Sequence, residues 1–230
     1  MGVAGCPPDH EYVIGVDPLA QVGEVRDVAT DDERIADAVK GLGVKAVMTR
    51  RDHPSGTDRI AEAVEGLDAK VIINIQGDEP LIDPSLIDRL ADVMLLNEQW
   101  DMATAASPIV SETDLKNPSV VKVVWNEKRQ AMYFSRSIIP FVRDNDLADD
   151  SILHWRHLGI YAYRKAFLST LVRTPPCLLE RAEKLEQLRA LYIGARMTVL
   201  EAREAGIGVD TPEDVQYVEK AMAGRPGGRV

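Results

Sequence analysis

Several stretches of the chain set side chains able to hold a metal, an anion or a sugar at points where an apolar run gives way to a loop. Asp78 stands three residues past Ile75, in Gln76-Gly77-Asp78-Glu79-Pro80, and Asp210 stands in Gly208-Val209-Asp210-Thr211-Pro212-Glu213-Asp214, just before a helix-opening proline. Hard divalent ions such as Mg²⁺ take one or two carboxylates and leave the other positions to water and substrate phosphates. Asp78 and Asp210 meet that need if the fold brings their loops together; the plainer alternatives are a turn former for Asp78 and a helix N-cap for Asp210. Ser55-Gly56-Thr57 opens a helix, where backbone N–H groups hold a base carbonyl or an anion, or where Ser55 and Asp58 simply form a capping box. Ser135-Arg136-Ser137-Ile138-Ile139-Pro140 sets a cation just past a strand, suited to a bidentate carboxylate clamp or to a surface ion pair. Glu186 and Gln187 flank a helix whose Leu185 and Leu188 face inward, and alone they read as a solvated face.

Other chemistries are disfavoured. His53, His154 and His157 lack the spacing of a zinc site, and no GxGxxG, Walker A, GxSxG or CxxC pattern occurs. The 230 residues carry 27 Lys and Arg against 37 Asp and Glu, a net charge of −10 with pI near 4.9. Such an acidic surface repels phosphate backbones, which argues against a nucleic-acid partner. The composition, 45% apolar and 28% charged, is that of a folded globular protein. Cys6 and Cys177 suggest free thiols in a reducing compartment. No apolar run is long enough for a membrane span and no secretory leader is visible, so a cytoplasmic protein without a membrane partner is expected.

The candidate residues need elements to hold them. Residues 25–29 suit a short buried strand, and Thr30 with Glu33 predicts a capped helix carrying Ile35, Ala38, Val39 and Leu42 on one face. A second strand over 46–48 and a helix with Ile60, Ala61, Val64 and Leu67 follow. The β-branched run 71–75 reads as a strand buried on both faces, and Asp83-Pro84 opens a third helix. Successive strand–helix units predict an α/β layer fold with a parallel sheet, whose ligands bind outside the carboxyl ends of the strands. The loops at Thr30-Asp31-Asp32, His53 to Arg59, Gln76 to Pro80 and Gly208 to Asp214 sit there. Later, 120–125 and 130–134 predict a hairpin, 143–151 a surface loop, 157–163 a strand, 165–172 and 178–191 helices, 197–201 a last strand and 212–223 a last helix. Residues 1–23 read as an atypical, poorly ordered amino terminus, 24–223 as one domain and 224–230 as a flexible tail.

Seven blocks, in order, resemble one family: Ala29-Thr30-Asp31-Asp32-Glu33-Arg34-Ile35, Thr49 to Arg59, Asn74 to Leu81, Tyr133 to Pro140, Arg156 to Tyr163, Leu185 to Arg189 and Gly208 to Asp214. They are similar to the blocks of 3-deoxy-manno-octulosonate cytidylyltransferases, or CMP-Kdo synthetases. The resemblance implies a Rossmann-like nucleotidyltransferase, a three-layer α/β/α sandwich with a mostly parallel sheet and a small β-hairpin dimerisation or lid region. It implies cytidylyl transfer from CTP to an eight-carbon acid sugar, 3-deoxy-D-manno-octulosonate (Kdo), for lipopolysaccharide biosynthesis, in a Mg²⁺-dependent homodimer. By motif, Asp78 and Asp210 are the implied catalytic metal ligands. Ser55, Gly56, Thr57 and Arg59 belong near the cytosine and ribose, with Gln76 between nucleotide and sugar. Arg136, His157, Tyr161, Glu186 and Gln187 hold the acid sugar, with Arg136 suited to its carboxylate and Glu186 and Gln187 to its hydroxyls.

One departure stands out. The family begins with a strand and a loop of the form PAR-x-x-S-x-R-x-PGKPL, which wraps the triphosphate. Here Arg26 is the one Lys or Arg in residues 1–30, and charged hydrogen bonds contribute about 1.5–3 kcal/mol each. Little or no turnover is therefore expected. A misassigned or frameshifted start, a degenerate homologue that keeps the sugar site, and cations from a rebuilt terminus or partner chain are the competing explanations. The rival functions are a non-catalytic sugar-binding or regulatory subunit and a cytidylyltransferase for another acid sugar, such as an amino-substituted octulosonate or a neuraminate.

Overall fold

The computed structural model describes residues 11–16, 27–41, 44–77, 81–144, 152–203, 218 and 220. The chain divides into two compact units, 1–89 with 206–230 and 90–205. In the first, β1 (Glu11–Val16) and β2 (Asp27–Thr30) lead to α1 (Glu33–Val39), β3 (Lys45–Met48), α2 (Gly56–Ala63) and β4 (Val71–Gln76). The strands lie in the order β3-β2-β1-β4. β2 is parallel to β3, whereas β1 is antiparallel to both β2 and β4. Hence β2, β3 and β4 point the same way, as expected, and β1 runs against them. Their carboxyl ends share one edge: Val47, Ala29, Glu11 and Gln76 stand level across the sheet.

β4 is buried at its first five positions, as a continuous β-branched run requires. Thr57, Arg59 and Ile60 form the buried side of α2, continued by Val64 at its C-cap. The α1 cap differs from expectation. Asp32, not Thr30, is the N-cap, its carboxylate accepting from the Arg34 N–H at 2.8 Å. Thr30 is still a sheet residue, its carbonyl accepting from the Thr49 N–H at 2.9 Å, while its hydroxyl accepts from the Asp32 N–H at 3.0 Å. α3 (Pro84–Leu96) begins as expected, with Asp83 accepting from the Ser85 N–H at 2.9 Å.

The second unit contains β5 (Met102–Pro108), α4 (Glu112–Lys116), β6 (Lys122–Trp125), β7 (Ala131–Ser135), β8 (Trp155–Arg164), α5 (Lys165–Arg173), α6 (Leu178–Glu183), α7 (Gln187–Tyr192) and β9 (Met197–Glu201). β5 lies between β8, antiparallel to it, and β9, parallel to it; β6 pairs with β7 and with β8. β6 and β7 are the expected hairpin, closed by Arg129 in the left-handed region (φ 63°). Phe134, Ile160, Leu168 and Leu171 are fully buried, each contributing about 1.5–3 kcal/mol. The single helix expected over 178–191 is two. The chain turns at Lys184 (φ 54°), where the Glu183 and Lys184 carbonyls accept from the Arg136 guanidinium at 2.7 and 3.4 Å.

The helix expected over 212–223 lies outside the described residues except Val218 and Lys220, both helical, and so does 145–151 of the expected surface loop. Among the described residues no helix is long and apolar enough to cross a membrane.

Candidate functional site

In the first unit the loops after β2 and β3 converge on α2. Ser55 is its N-cap, donating from Oγ to Asp58 Oδ2 at 2.6 Å and accepting from the Asp58 N–H at 3.3 Å. The capping role is thus realised, with Gly56 and Thr57 forming the first turn. Arg59 is buried. Its Nη1 donates to Thr49 Oγ1 at 2.6 Å and to the Arg50 carbonyl at 3.4 Å, and lies 3.3 Å from Asp31 Oδ1. It therefore ties the loops after β2 and β3 to α2, which joins Ser55, Gly56, Thr57 and Arg59 into one assembly. Gln76 ends β4 at the same edge, level with Ala29. Asp78 and Asp210 lie outside the described residues. Among the described residues no group of three or more His, Cys, Asp or Glu is placed to hold a metal ion.

Glu62 was not evident from sequence. It accepts from Arg50 Nε at 2.9 Å and the Arg50 N–H at 3.1 Å, and its Oε2 lies 2.6 Å from His53 Nε2. Burial works to raise its pKa, but the Arg50 side chain, the Arg50 N–H and His53 together hold it below the ordinary carboxylate range. The pairing fixes the 50–53 loop that precedes Ser55. Its partners are 9 and 12 residues apart in the chain, a spacing with no local signature.

In the second unit the residues that the resemblance implies for the acid sugar fall in two groups, His157 with Tyr161 on β8 and Arg136 with the turn that precedes Glu186 and Gln187. Lys122 stands opposite Ser135 on β7 and Arg156 on β8, so Arg136 and His157 follow from neighbouring strands. The His157 ring sits edge-on to Phe134 at 5.0 Å and 5.3 Å from Tyr161. Arg136 donates from Nε to the Glu183 carbonyl at 2.7 Å, from Nη1 to the Pro118 carbonyl at 3.0 Å and from Nη2 to the Lys184 carbonyl at 3.4 Å. Among the described residues no carboxylate ion-pairs with its guanidinium, and donors remain for a ligand carboxylate. Glu183 holds this turn from the other side, accepting from Ser135 Oγ at 2.7 Å and the Arg136 N–H at 2.9 Å.

Glu186 precedes α7 without a side-chain capping bond and accepts from Arg189 Nη2 at 2.8 Å; the neighbouring Gln187 is buried. Arg189 is a second feature not evident from sequence as a scaffold: its fork meets both oxygens of Glu180, at 2.7 and 2.9 Å. Lys122 is a third. It is fully buried and donates to the Asn117 and Arg136 carbonyls at 2.8 and 3.1 Å. Burial, joined by the Arg156 charge, lowers its pKa. Burial also pushes the His157 imidazole down to about 3, so it is neutral at physiological pH.

The cytidylyltransferase family profile matches residues 13–199. The chain is 49% identical over 198 residues to the 3-deoxy-manno-octulosonate cytidylyltransferase of Geobacter sulfurreducens, covering 83% of this chain and 79% of that protein. To the protein of the same name from Bdellovibrio bacteriovorus it is 47% identical over 197 residues, covering 85% and 79%. A solved structure of CMP:2-keto-3-deoxy-manno-octonic acid synthetase complexed with CTP superposes with a TM-score of 0.80 at 42% identity, covering 86% of this chain and 80% of that one. These likenesses run through both units, and the chain belongs to the cytidylyltransferase family, among the 3-deoxy-manno-octulosonate cytidylyltransferases.

Proposed function

We propose that the chain is built for cytidylyl transfer from CTP to 3-deoxy-D-manno-octulosonate, giving CMP-Kdo and pyrophosphate for lipopolysaccharide biosynthesis, in a cytoplasmic homodimer. The reading rests on the likeness to the named relatives together with one structural observation. The His157 and Tyr161 rings lie 5.3 Å apart on β8, and Arg136 follows β7, which β6 joins to β8, so the second unit holds a neutral imidazole and a guanidinium with no carboxylate partner among the described residues. That pairing suits a ligand that is both an acid and a polyol. The first unit would take the nucleotide, with Ser55, Gly56, Thr57 and Gln76 nearest to it and Arg59 holding the loops in place.

Asp78 and Asp210 are proposed to hold Mg²⁺, two carboxylates being a donor set that a hard divalent ion accepts. A bound ion would supply charge neutralisation at the phosphates. Within this chain's own residues, the contribution is placement: attack at the α-phosphate gains chiefly from alignment and preset charge.

Turnover is proposed to be impaired. β1 runs against β2 and β4, so Val16 ends it at the edge opposite Thr30 and Gln76. Arg26 is the single Lys or Arg up to Thr30, so the sequence before β2 lacks the basic loop that the resemblance implies for the triphosphate. Pyrophosphate release from CTP plus Kdo tests both statements. Slow release that rises at least 10-fold when residues 1–24 are replaced by a relative's strand and phosphate loop supports them. Rapid release by the unaltered chain refutes the impairment. Binding of Kdo by calorimetry without any turnover, before or after the graft, favours the sugar-binding subunit instead.

A further inference from the structure

We propose that Thr104 is a positioning residue that locks His157 as a neutral imidazole protonated on Nε2, leaving the Nδ1 lone pair to accept a hydrogen bond from a ligand hydroxyl and not to meet a ligand carboxylate. The ligand half of this statement rests on the acid-sugar reading above. The lock itself follows from counting protons.

Thr104 lies on β5 and is fully buried. A threonine hydroxyl has one hydrogen and two lone pairs. Oγ1 lies 2.8 Å from the Ile160 carbonyl oxygen and 2.9 Å from His157 Nε2. The carbonyl is an acceptor alone, so the hydroxyl hydrogen goes to it. What Thr104 turns toward His157 is then a lone pair, and Nε2 must supply the proton. Each neutral imidazole carries one N–H, so Nδ1 is the acceptor.

The backbone explains why the Ile160 carbonyl is available. Thr104 stands opposite Tyr161, but Ala105 stands opposite Leu158, so Gly159 and Ile160 have no partner on β5. This bulge re-aims the strand just beside His157, a common use of such irregularities. Protonation of Nδ1 would put a charge on a half-buried ring. The ring is packed against Phe134 and Tyr161, and among the described residues no carboxylate ion-pairs with it to stabilise that charge. His157 thus offers a lone pair and neither a proton nor a positive charge.

Ring ¹⁵N spectra of the full chain labelled at histidine test the assignment, with the His157 signals identified by their absence from His157→Gln. The expected result is a single neutral Nε2–H tautomer that does not titrate between about pH 5 and pH 8. Thr104→Ser should keep it, and Thr104→Val should yield a tautomer mixture. An Nδ1–H tautomer or a titrating ring in the unaltered protein would overturn the proposal, whether or not Thr104→Val folds. Calorimetry then reads the ligand half. Thr104→Val should weaken Kdo and its methyl ester equally, by about 10-fold, with Thr104→Ser within about 2-fold of the unaltered protein. A loss confined to the free acid would place His157 at the carboxylate and overturn the proposal. The expected spectrum without any Kdo binding by the unaltered protein would remove the acid-sugar reading while the tautomer lock stands.

Discussion

Arg189 gives the sharpest energetic test. Its side chain is 6% exposed and Glu180 is 12% exposed, and the two meet through a pair of parallel bonds, Nε to Oε2 at 2.9 Å and Nη2 to Oε1 at 2.7 Å. The same guanidinium reaches the Thr174 carbonyl at 3.0 Å and Glu186 Oε1 at 2.8 Å. Arg189→Met keeps the apolar stem and removes the fork, so the Glu180 carboxylate is left buried and unpaired. Breaking a buried pair from one side costs about 3–5 kcal/mol. For a chain of this length each kcal/mol shifts the melting temperature by about 2–4 °C, so the fall should be about 6–20 °C. Glu186 is 28% exposed and adds little to that loss, but freed from Arg189 it should also hold the acid sugar less well. Circular dichroism melts read the first effect and calorimetry the second. Arg189→Met combined with Glu180→Leu removes both charges and should recover most of the stability, since apolar replacement of a whole buried pair is often neutral. A fall below about 2 °C for the single variant, or a double variant no more stable than the single one, would refute the reasoning.

Three further outcomes are expected. Burial and the Arg156 charge lower the Lys122 pKa from 10.5, so the unfolded chain binds more protons than the folded chain between the two values and stability rises with pH across that window. Lys122→Met should flatten the rise in urea midpoint as the pH approaches 10.5 from below, and an unchanged slope would count against a buried ammonium. Glu62 has its pKa lowered from 4.5, so its stabilisation is complete above that value and is lost as the pH falls through the lower folded value. Glu62→Gln should therefore melt earlier at neutral pH, with the gap to the unaltered protein closing below 4.5; a constant gap would mean that its charge is not the stabilising feature. Ser55→Ala should cost about 1 kcal/mol through loss of the α2 cap, and Ser55→Thr much less, as read by urea titration; equal losses would show that the cap is not what Ser55 contributes.

The elements set by local rules were legible in the sequence. The β-branched run at Val71, Ile72, Ile73 and Ile75 could only be a doubly covered strand, and Asp83-Pro84 announced α3. The hairpin between β6 and β7 was readable from two extended runs about a short polar turn. The break at Lys184 was not, because the carbonyls released there are claimed by Arg136, 47 and 48 residues earlier. The direction of β1 had a signal in the chain length. Ten residues separate Val16 from Asp27, while parallel neighbours need a crossover of about a dozen or more. Neither Glu62 nor Lys122 had a local signature, since each is defined by partners from other elements.

Three arginines of the family blocks, Arg59, Arg136 and Arg189, show how a motif divides its labour. Each sits next to residues that resemble ligand contacts, yet each commits donors to the protein itself. Arg59 holds Thr49, the Arg50 carbonyl and Asp31. Arg136 holds three carbonyls from two separate loops. Arg189 holds Glu180, Glu186 and the Thr174 carbonyl. A guanidinium suits such work because its donors are planar and its charge does not titrate away. Loops that carry a site need backbone groups satisfied without a ligand, or they would collapse toward other partners when empty. Anchoring the loops with arginine leaves the shorter neighbours Ser55 and Glu186 at fixed positions. Arg136 differs from the other two in having no carboxylate partner among the described residues, so it alone of the three can combine the scaffold role with a charge still open to an acid.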